Sequence, residues 1–272
     1  MLKRIGAALA ATPLIILASA TAGHAVTYQP SPTASSPFAL DPNRWVIAHR
    51  GGDALYPEEG YRGYNASSLS RFALELDVRQ TKDGRWVLLH DATVDRTIRG
   101  ITGDVSALTL AQFMGGYLRP APNGAYTTDR PATLGGFMTR YDNGRNIIVL
   151  EHKGGSVSAL TAYVKARGLN TVRTTMIQSF SFTDAKAFSK SGLTTMLLMG
   201  KHWTMPLADV KAAGIKYLGV ARDMGSWDVG YLKRQGFTVV AYSVNTKTDL
   251  DGQTARGVDG VFSDNPWKIT AP

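Results

Sequence analysis

The sequence of 272 residues contains no cysteine. This absence excludes a disulfide framework and a membrane anchor attached through a lipidated cysteine. A protein of this length without disulfides must rely on a large hydrophobic core, and the chain is long enough to build one large α/β domain or two small ones.

Signatures of zinc and of nucleic-acid binding are missing as well. The five histidines never occur as HxH or HExxH, the spacings typical of zinc sites. Lys and Arg are scattered, and no basic run is interleaved with aromatic residues, so we predict no nucleic-acid partner. No feature of the sequence indicates an obligate protein partner.

A long hydrophobic run is absent near the start of the chain, where the apolar stretch from Ile5 to about Leu17 is short for a membrane span. Lys3 and Arg4 precede this stretch and small residues follow it, which is the order of a secretory signal. We predict a signal peptide over residues 1–25, cleaved after Ala25, and a secreted or periplasmic protein. The alternative is an uncleaved membrane anchor.

Acidic residues are fewer than basic ones, and 21 Asp and Glu against 30 Lys and Arg give a net charge of +9. Residues 1–25 carry two basic charges, so their removal leaves +7. A positive balance favours anionic partners such as phosphate esters, cell-wall polyanions or a phospholipid surface. It is equally consistent with a role in solubility alone.

The chain divides into a leader and one folded domain. Residues 26–44 are rich in Pro, Ser and Thr and lack an apolar period, so we predict a flexible leader. Residues 45–268 alternate short apolar runs with amphipathic segments. The candidate strands are Trp45–His49, Glu75–Arg79, Trp86–His90, Ile147–Lys153, Thr175–Phe180, Thr195–Met199, Tyr217–Ala221, Thr238–Val244 and Gly260–Ser263.

Helical segments lie between most of these strands. The clearest are Ser156–Arg167, Phe182–Lys190, Pro206–Ala213, Trp227–Gln235 and Lys247–Ala255, each followed by a glycine where a helix should stop. Strands that alternate with helices favour a parallel sheet, and at this length an α/β fold of the (β/α)8 barrel type. The sequence has nine candidate strands and the wall of such a barrel has eight, so we expect at least one candidate to lie outside the wall.

Reactive side chains collect where four early strands end. They are His49 with Arg50, Glu75 with Asp77, His90 with Asp91, and Glu151 with Lys153. The carboxyl ends of barrel strands carry the active site in this architecture, so we expect these groups to meet there. One buried histidine is usually a core residue. Two histidines and two cations at corresponding ends, together with the carboxylates Glu75, Asp77 and Glu151, indicate a site.

The segment ELDVRQTKDGRWVLLHD at 75–91 reads as a hairpin. If Asp83-Gly84 is a two-residue turn, Lys82 faces Arg85, and the same register places Asp77 opposite His90. A three-residue turn would shift this register by one. Side chains alternate along a strand, so Glu75 and Asp77 point to the same face. With the two-residue turn, His90 lies on that face as well.

The chemistry of this set is that of phosphodiester cleavage. Three carboxylates without cysteine suit a hard divalent cation, Ca²⁺ or Mg²⁺. Two histidines suit paired proton transfer, and Arg50 with Lys153 can hold a phosphate. The alternative for these two cations is a structural ion pair with the same carboxylates. For Asp91, an orienting or loop-capping role is favoured over catalysis.

Several segments resemble one known family in sequence and in order. They are HRGG at 49–52, ELDVRQTKDG at 75–84, HDATVDRTIRGITG at 90–103, LEHKG at 150–154, QSF at 178–180, YSVN at 242–245 and GVDGVFSDNP at 257–266. Together they resemble the glycerophosphodiester phosphodiesterase family of the phospholipase C-like phosphodiesterase superfamily, from about Val46 to Pro266.

The resemblance implies a distorted (β/α)8 barrel that uses a divalent metal to hydrolyse glycerophosphodiesters to sn-glycerol 3-phosphate and an alcohol. By position it makes His49 and His90 the acid–base pair, Glu75, Asp77 and Glu151 the metal ligands, and Arg50 and Lys153 the phosphate contacts. The family's mechanism is often drawn with the substrate's own hydroxyl attacking first, which gives a cyclic phosphate that water then opens.

One departure from the family lies after HRG, where Pro57–Gly60 reads PEEG instead of Pro-Glu-Asn-Thr. We therefore expect the next helix to be short and to start near Asn65, capped by Asn65 or Ser67. Trp203 and Tyr242, near later strand ends, are candidates for a substrate pocket, with simple packing as the alternative.

The sequence is compatible with three functions. The favoured one is an exported, metal-dependent phosphodiesterase for small glycerophosphodiester substrates. The second is a phospholipase D-like enzyme that cleaves lysophospholipids or sphingolipids at a membrane. The third is a non-catalytic module that binds a teichoic-acid-like polymer. Such a binding module has no need of two histidines beside a metal site.

Overall fold

The computed structural model describes residues 45–126, 128–201 and 203–270. The predicted signal peptide, 1–25, and leader, 26–44, lie outside the described residues. The strands are β1 Trp45–Ala48, β2 Ala73–Gln80, β3 Trp86–Leu88, β4 Ile98–Arg99, β5 Tyr117–Leu118, β6 Ile148–His152, β7 Thr175–Ser179, β8 Thr195–Met199, β9 Tyr217–Ala221, β10 Thr238–Tyr242 and β11 Gly260–Ser263.

Helices follow most of the strands. They are α1 Tyr61–Leu69, α2 Leu110–Phe113, α3 Leu134–Tyr141, α4 Val157–Ala166, α5 Leu169–Thr174, α6 Phe182–Lys190, α7 Leu207–Ala212, α8 Ser226–Arg234, α9 Lys247–Ala255 and α10 Pro266–Thr270. Side-chain caps from Ser156, Ser181 and Thr246 start α4, α6 and α9, as their sequences favour. Every helix in the described ranges is too short or too polar to cross a membrane.

Eight parallel strands close into a barrel, which confirms the predicted fold class. Their order is β1, β11, β10, β9, β8, β7, β6 and β2, and β2 pairs with β1 to complete the ring. All neighbouring wall strands are parallel, and helices lie in the crossovers between wall strands that follow one another along the chain. All eight carboxyl ends therefore lie at one rim.

The ninth candidate strand lies outside the wall, as expected from the count. β3 pairs antiparallel with β2, with Val78 opposite Leu88 and Gln80 opposite Trp86. In this register the Leu89 N–H donates to the Asp77 carbonyl at 3.0 Å. The predicted pairing of Asp77 with His90 is therefore wrong by one residue.

The reason is the turn, which has three residues and not the predicted two. The Thr81 N–H donates to the Arg85 carbonyl at 2.8 Å, and the Thr81 hydroxyl donates to Asp83 at 2.6 Å. Gly84 supplies the left-handed conformation, with φ of +75°, that such a turn requires after its first two residues. A local hydroxyl–carboxylate contact thus decides between two turns that share the same Asp-Gly signal.

Two layers of apolar side chains hold the barrel. Inside it pack residues from all the wall strands, among them Ile47, Val149, Met196, Val240 and Phe262. The opposite faces of the same strands pack against the surrounding helices in two larger clusters. Because neighbouring residues on a strand point to opposite faces, each strand offers alternate positions to the interior.

The helix after the first strand begins earlier than expected. α1 starts at Tyr61 after an uncapped Gly60, so the predicted start near Asn65 is wrong. The Ser67 hydroxyl donates to the Gly51 carbonyl at 3.1 Å, and a Cβ on Gly63 would lie only 2.6 Å from that oxygen. Packing of α1 on the HRGG turn therefore sets the start of the helix.

Between β3 and α3 the chain leaves the barrel and forms a small lobe. β4 and β5 pair antiparallel, and the lobe has its own apolar cluster, which includes Val94, Ile98, Phe113 and Leu118. This lobe begins directly after His90, so its first residues lie beside the rim that carries the reactive side chains.

Candidate active site

Strand alternation brings the three predicted metal ligands together. Glu75 and Asp77 lie two residues apart on β2, with Leu74, Leu76 and Val78 packed outward against the helices. β2 and β6 pair in parallel with Asp77 opposite Glu151. One oxygen from each of the three carboxylates lies within 4.8 Å of the others.

Burial and mutual repulsion make this cluster unfavourable as bare anions. Glu75 and Asp77 are fully buried and Glu151 is 6% exposed. Burial, followed by the charge of Asp77, raises the pKa of Glu75 to about 8 and that of Glu151 to about 7. A cation among the three carboxylates would remove both costs.

Unpaired oxygens face the same cluster. Within the described residues, Asp77 Oδ1 and Gln178 Oε1 are buried and accept no hydrogen bond. Gln178 lies on β7 and donates its amide Nε2 to Glu75 Oε1 at 3.1 Å. Three carboxylates with a free carboxylate oxygen form an all-oxygen donor set that fits a hard divalent cation.

The HRGG turn after β1 supplies His49 and Arg50. Arg50 has φ of +48°, a left-handed conformation, and its backbone N–H donates to Glu75 Oε2 at 2.9 Å. Its guanidinium donates through Nε to Asp77 Oδ2 at 2.9 Å and through Nη1 to Glu58 at 3.1 Å. The turn is therefore tied to the carboxylate cluster by both backbone and side chain.

Lys153 follows β6 and lies beside the same cluster. Its Nζ donates to Glu151 at 2.8 Å and lies 3.9 Å from Asp77 Oδ1. Both predicted phosphate-binding cations therefore form ion pairs with the cluster here, which is the alternative arrangement considered for them.

His49 is held by a carboxylate from the far end of the chain. Its Nδ1–H donates to Asp264 Oδ1 at 2.6 Å, and Asn245 donates to the second oxygen of Asp264 at 2.6 Å. Burial alone would lower the pKa of His49, but the Glu75 charge and the Asp264 hydrogen bond outweigh it and raise the pKa to about 9. Asp53, half-buried nearby, has its own pKa raised to about 7 by burial.

His90 is held by its sequence neighbour. Its Nδ1–H donates to Asp91 Oδ1 at 2.7 Å, and Arg79 holds its backbone carbonyl with two N–H groups at 2.8 and 3.0 Å. Burial lowers the pKa of His90, and the charge of Asp77 and the Asp91 hydrogen bond offset this only partly. In both histidines a carboxylate occupies Nδ1, which leaves Nε2 for chemistry.

These groups surround one cavity of about 180 Å³. It is lined by His49, Arg50, His90, Glu151, Lys153, Gln178, Phe180, Leu198, Tyr242, Ser243 and Phe262. The apolar wall is formed by Phe180, Leu198, Tyr242 and Phe262, and Phe180 is 53% exposed at the mouth. The cavity thus pairs a charged side with an apolar side, as a small polar ester with a carbon skeleton requires.

The two predicted pocket aromatics have different positions. Tyr242 lines the cavity, meets Phe180 edge-on and donates its hydroxyl to the Met199 carbonyl at 2.9 Å. Trp203 does not line it: its indole N–H donates to the Met205 carbonyl, and its ring packs against an outer core cluster. The position of Trp203 therefore does not support its assignment to the pocket, because the chain after β8 folds onto the helical layer.

Sequence reasoning missed several residues of the site. Gln178 lies near the carboxyl end of β7, Asn245 and Asp264 follow β10 and β11, and Asp53 and Glu59 lie in the loop after HRGG. The buried Glu59 accepts the Asp77 N–H at 2.9 Å and the Tyr64 hydroxyl. The segments QSF, YSVN and GVDGVFSDNP contain Gln178, Asn245 and Asp264, so a position at or just after the end of a strand was the available signal.

Comparison with known proteins agrees with this geometry. The model of the glycerophosphoryl diester phosphodiesterase family matches residues 49–268. The chain is 29% identical over 234 residues to a glycerophosphodiester phosphodiesterase of Caldanaerobacter subterraneus subsp. tengcongensis, covering 81% of this chain and 94% of that protein. It is 27% identical over 263 residues to a glycerophosphodiester phosphodiesterase of Bacillus subtilis, covering 87% and 89%.

A solved structure shows the same architecture. A phosphodiesterase of Oleispira antarctica, in complex with the product sn-glycerol-3-phosphate, is similar with a TM-score of 0.73 at 22% identity, covering 85% of this chain and 96% of that one. At this identity the likeness shows the fold alone.

Proposed function

The chain belongs to the glycerophosphoryl diester phosphodiesterase family of phosphoric diester hydrolases, and from this premise we propose that it hydrolyses small glycerophosphodiesters to sn-glycerol 3-phosphate and an alcohol. The observation that carries the proposal is the convergence of two carboxylate-held histidines, three buried carboxylates and two cations on one cavity. The residues come from the carboxyl ends of β1, β2 and β6 and from the segment after β3.

Glu75, Asp77 and Glu151 would hold the divalent cation on which the family generally depends. Such an ion supplies Lewis-acid stabilisation of charge on the phosphoryl oxygens. Ca²⁺ and Mg²⁺ both suit an all-oxygen donor set. The fully buried carboxylates support this assignment, because without a counter-charge their burial is costly.

Arg50 and Lys153 would bind the phosphate of the substrate. The Arg50 guanidinium offers a planar fork and Lys153 a point charge, and both groups line the cavity. Their present carboxylate partners keep the two cations at the charged side of the cavity. The substrate's carbon skeleton would then lie against Phe180 and Tyr242.

His49 and His90 would move the protons. One removes the proton from the attacking hydroxyl, and the other gives a proton to the alcohol oxygen as its bond to phosphorus breaks. Because Nδ1 of each ring donates to a carboxylate, Nε2 is the atom that exchanges protons. The same pair serves an attack by water or by a hydroxyl of the substrate.

A product assay tests the proposal. The metal-loaded protein is incubated with a panel of glycerophosphodiesters, and sn-glycerol 3-phosphate is measured by an enzyme-coupled reaction. Glycerophosphocholine should give sn-glycerol 3-phosphate and choline. Cyclic phosphate released from a lysophospholipid, with no turnover of the small diesters, would favour the phospholipase D-like function, and binding of a teichoic-acid-like polymer without turnover would favour the binding module.

Two further measurements test the residue roles. Chelator should abolish turnover, and Ca²⁺ or Mg²⁺ should restore it. His49→Ala and His90→Ala should each lower kcat by about 10²–10⁴-fold, the range for general acid–base groups. Full turnover in chelator, or near-normal kcat in either variant, contradicts the corresponding assignment.

We also propose that the enzyme acts after export. Support comes from the charged, apolar and small-residue order of residues 1–25, which is the order of a secretory signal. Expression of the full chain followed by amino-terminal sequencing of the processed protein should give Val26 as its first residue. An unprocessed chain held in the membrane fraction contradicts cleavage.

A further inference from the structure

Arg96 bridges two loops of the active-site rim. Its Nε and Nη2 donate to the two oxygens of Asp91 at 2.5 and 3.1 Å. Its Nη1 and Nη2 donate to the two oxygens of Glu58 at 2.6 and 2.8 Å. One guanidinium therefore binds two carboxylates in a bidentate manner, the strongest form of such contacts.

Each of these carboxylates also binds a residue of the proposed site. Asp91 accepts the Nδ1–H of His90 at 2.7 Å, and Glu58 accepts an N–H of Arg50 at 3.1 Å. A continuous chain of charged hydrogen bonds thus runs from the phosphate-binding Arg50 through Glu58, Arg96 and Asp91 to His90. It joins the loop after β1 to the first residues of the small lobe.

Stability alone does not account for this bridge. The Arg96 side chain is 50% exposed, and ion pairs at that exposure contribute about 0–1 kcal/mol. Its two partners are less exposed, at 11% for Glu58 and 28% for Asp91. The bridge instead fixes the direction of the Asp91 carboxylate, and that carboxylate fixes the ring of His90.

We propose that Arg96 is a positioning residue that orients His90 through Asp91 and couples it to Arg50 through Glu58. The proposal rests on the proposed function for the part that His90 takes in turnover. It extends that function to a residue that contributes no atom to the cavity lining. A second consequence is that the PEEG loop takes part in the arrangement through Glu58.

The test compares Arg96→Gln, Asp91→Asn and the double variant. Each single variant should lower kcat on glycerophosphocholine by about 10–100-fold, the usual effect of removing a partner that orients a reacting group, while KM changes far less. The loss in the double variant should fall well short of the product of the two single losses, because Arg96 acts on His90 only through Asp91. Additive losses in the double variant contradict the proposal.

The pKa of His90, measured by NMR with the His90→Ala spectrum for assignment, gives a readout independent of turnover. Asp91→Asn removes a carboxylate and should lower this pKa. Arg96→Gln removes a cation from that carboxylate and should raise it. Asp77, Arg50 and Lys153 also act on His90 and are present in every variant. Shifts of equal sign, or no shift, contradict coupling through Asp91.

Arg62→Gln is the matched control. Arg62 donates its Nε to both oxygens of Asp129 at 2.8 Å and is 51% exposed, so it forms a similar ion pair at similar exposure away from His90. Its kcat and its His90 titration should equal those of the wild type. Arg96→Lys should fail to restore kcat, because a single ammonium cannot bridge two carboxylates in a bidentate manner.

The two proposals fail in different ways. If the wild type does not release sn-glycerol 3-phosphate, the proposed function fails, while the opposite pKa shifts of His90 still test the bridge. If the wild type turns over and Arg96→Gln matches it in kcat and in His90 titration, the proposed function stands and the positioning role is wrong.

Discussion

Glu75, a proposed cation ligand, is a residue whose burial opposes folding of the metal-free protein. Its carboxyl is fully buried and accepts hydrogen bonds from the Gln178 amide and the Arg50 backbone. Burial, followed by the charge of Asp77, raises its pKa to about 8. In the absence of a cation, ionisation of Glu75 therefore destabilises the folded state.

Glu75→Gln should stabilise the metal-free protein at high pH and abolish the gain in stability from added cation. The neutral amide removes a buried charge, and it also removes a ligand oxygen that carries charge. Thermal unfolding of both proteins in chelator and with excess Mg²⁺ or Ca²⁺ measures both effects. A variant that is still stabilised by cation as strongly as the wild type would remove Glu75 from the ligand set.

Tyr64 is connected to the carboxylate cluster through Glu59. It is fully buried, and its hydroxyl donates to the Glu59 carboxyl, which in turn accepts the Asp77 N–H. Burial, followed by the charges of Asp77 and Glu75, holds the pKa of Glu59 well above its usual range. Glu59 also has φ of +58°, a conformation that favours Asn over Glu.

Tyr64→Phe should lower the free energy of unfolding by about 1–3 kcal/mol, because it leaves a buried carboxyl oxygen without its donor. Tyr231→Phe is the control, since Tyr231 is 41% exposed on α8 and its change should fall within about 0.5 kcal/mol. Urea unfolding of the three proteins at one pH provides the comparison. Equal stabilities of wild type and Tyr64→Phe would contradict the contact.

At the scale of single residues, the sequence predicted the charged groups at the strand ends and missed the residues that hold them in place. Glu75, Asp77 and Glu151 were visible because charge is unexpected at the end of an apolar run. Asp264 was not visible in this way, because it lies 215 positions from His49, and a local sequence pattern does not report a contact between residues so far apart. Arg96 and Glu58 were hidden for the same reason, since surface charges in loops are ordinary.

Among the elements, α1 shows how packing overrides a local signal. Asn65 and Ser67 suggested a cap, but Asn65 accepts a hydrogen bond from the Tyr141 hydroxyl and Ser67 donates to Gly51. Gly63 allows the helix to approach the HRGG turn more closely than a side chain would permit. The helix therefore begins where its contact with the turn requires.

Gly63→Ala should destabilise the protein by about 1–3 kcal/mol and lower kcat. The new Cβ would lie 2.6 Å from the Gly51 carbonyl oxygen, so the turn that carries His49 and Arg50 must move. A displacement of about 1 Å can cost about 10²-fold in rate. Denaturant unfolding and steady-state kinetics measure the two effects.

Gly252→Ala is the matched control for this substitution. Gly252 lies within α9, and a Cβ there meets nothing within 4 Å. Alanine should stabilise that helix by about 0.5–1 kcal/mol and leave kcat unchanged. A gain of stability at both glycines would show that helix propensity, and not the close approach of α1, governs Gly63.

The strands were the most predictable elements, and the hairpin register was the least. Thr195–Met199, Tyr217–Ala221 and Gly260–Ser263 have the predicted bounds, because each is a buried apolar run between a glycine-ended helix and a polar loop. The turn before β3 depends on one hydroxyl of Thr81, which periodicity does not report. His90 nevertheless reaches the cavity, because β3 ends at Leu88 and the chain turns towards the rim.

At the scale of the whole molecule, barrel closure gives the active site its composition. Adjacent wall strands place Asp77 beside Glu151, and Glu151 beside Gln178, across two ladders. Alternation of strands and helices predicted this closed sheet. Closure pairs β11 with β1 and so brings the chain's last motif beside its first, but the prediction did not say which side chains of the two motifs would be in contact.

For the whole molecule, the buried carboxylates predict a stability that falls as the pH rises, and a cation should offset this loss at high pH. Glu75 and Glu151 have folded-state pKa values of about 8 and about 7, above the ordinary value near 4.5. A raised carboxyl pKa means that the folded protein binds the proton more tightly than the unfolded chain. Its contribution to stability is therefore complete below about pH 4.5 and is lost as the pH rises through 7 and 8.

Metal-free protein should accordingly show a Tm that falls between pH 5 and pH 8.5. His49, with its pKa raised to about 9, acts in the same direction, whereas the lowered pKa of His90 opposes it on the acid side. Mg²⁺ or Ca²⁺ at 100 times its Kd should add about 2.7 kcal/mol, or about 5–10 °C in Tm, at pH 8. The gain should shrink towards pH 5, where protons compete for the carboxylates. Differential scanning calorimetry across this pH range measures these effects. Glu75→Gln should give a flatter curve of Tm against pH. A metal-free Tm that rises with pH would contradict the burial of the carboxylate cluster.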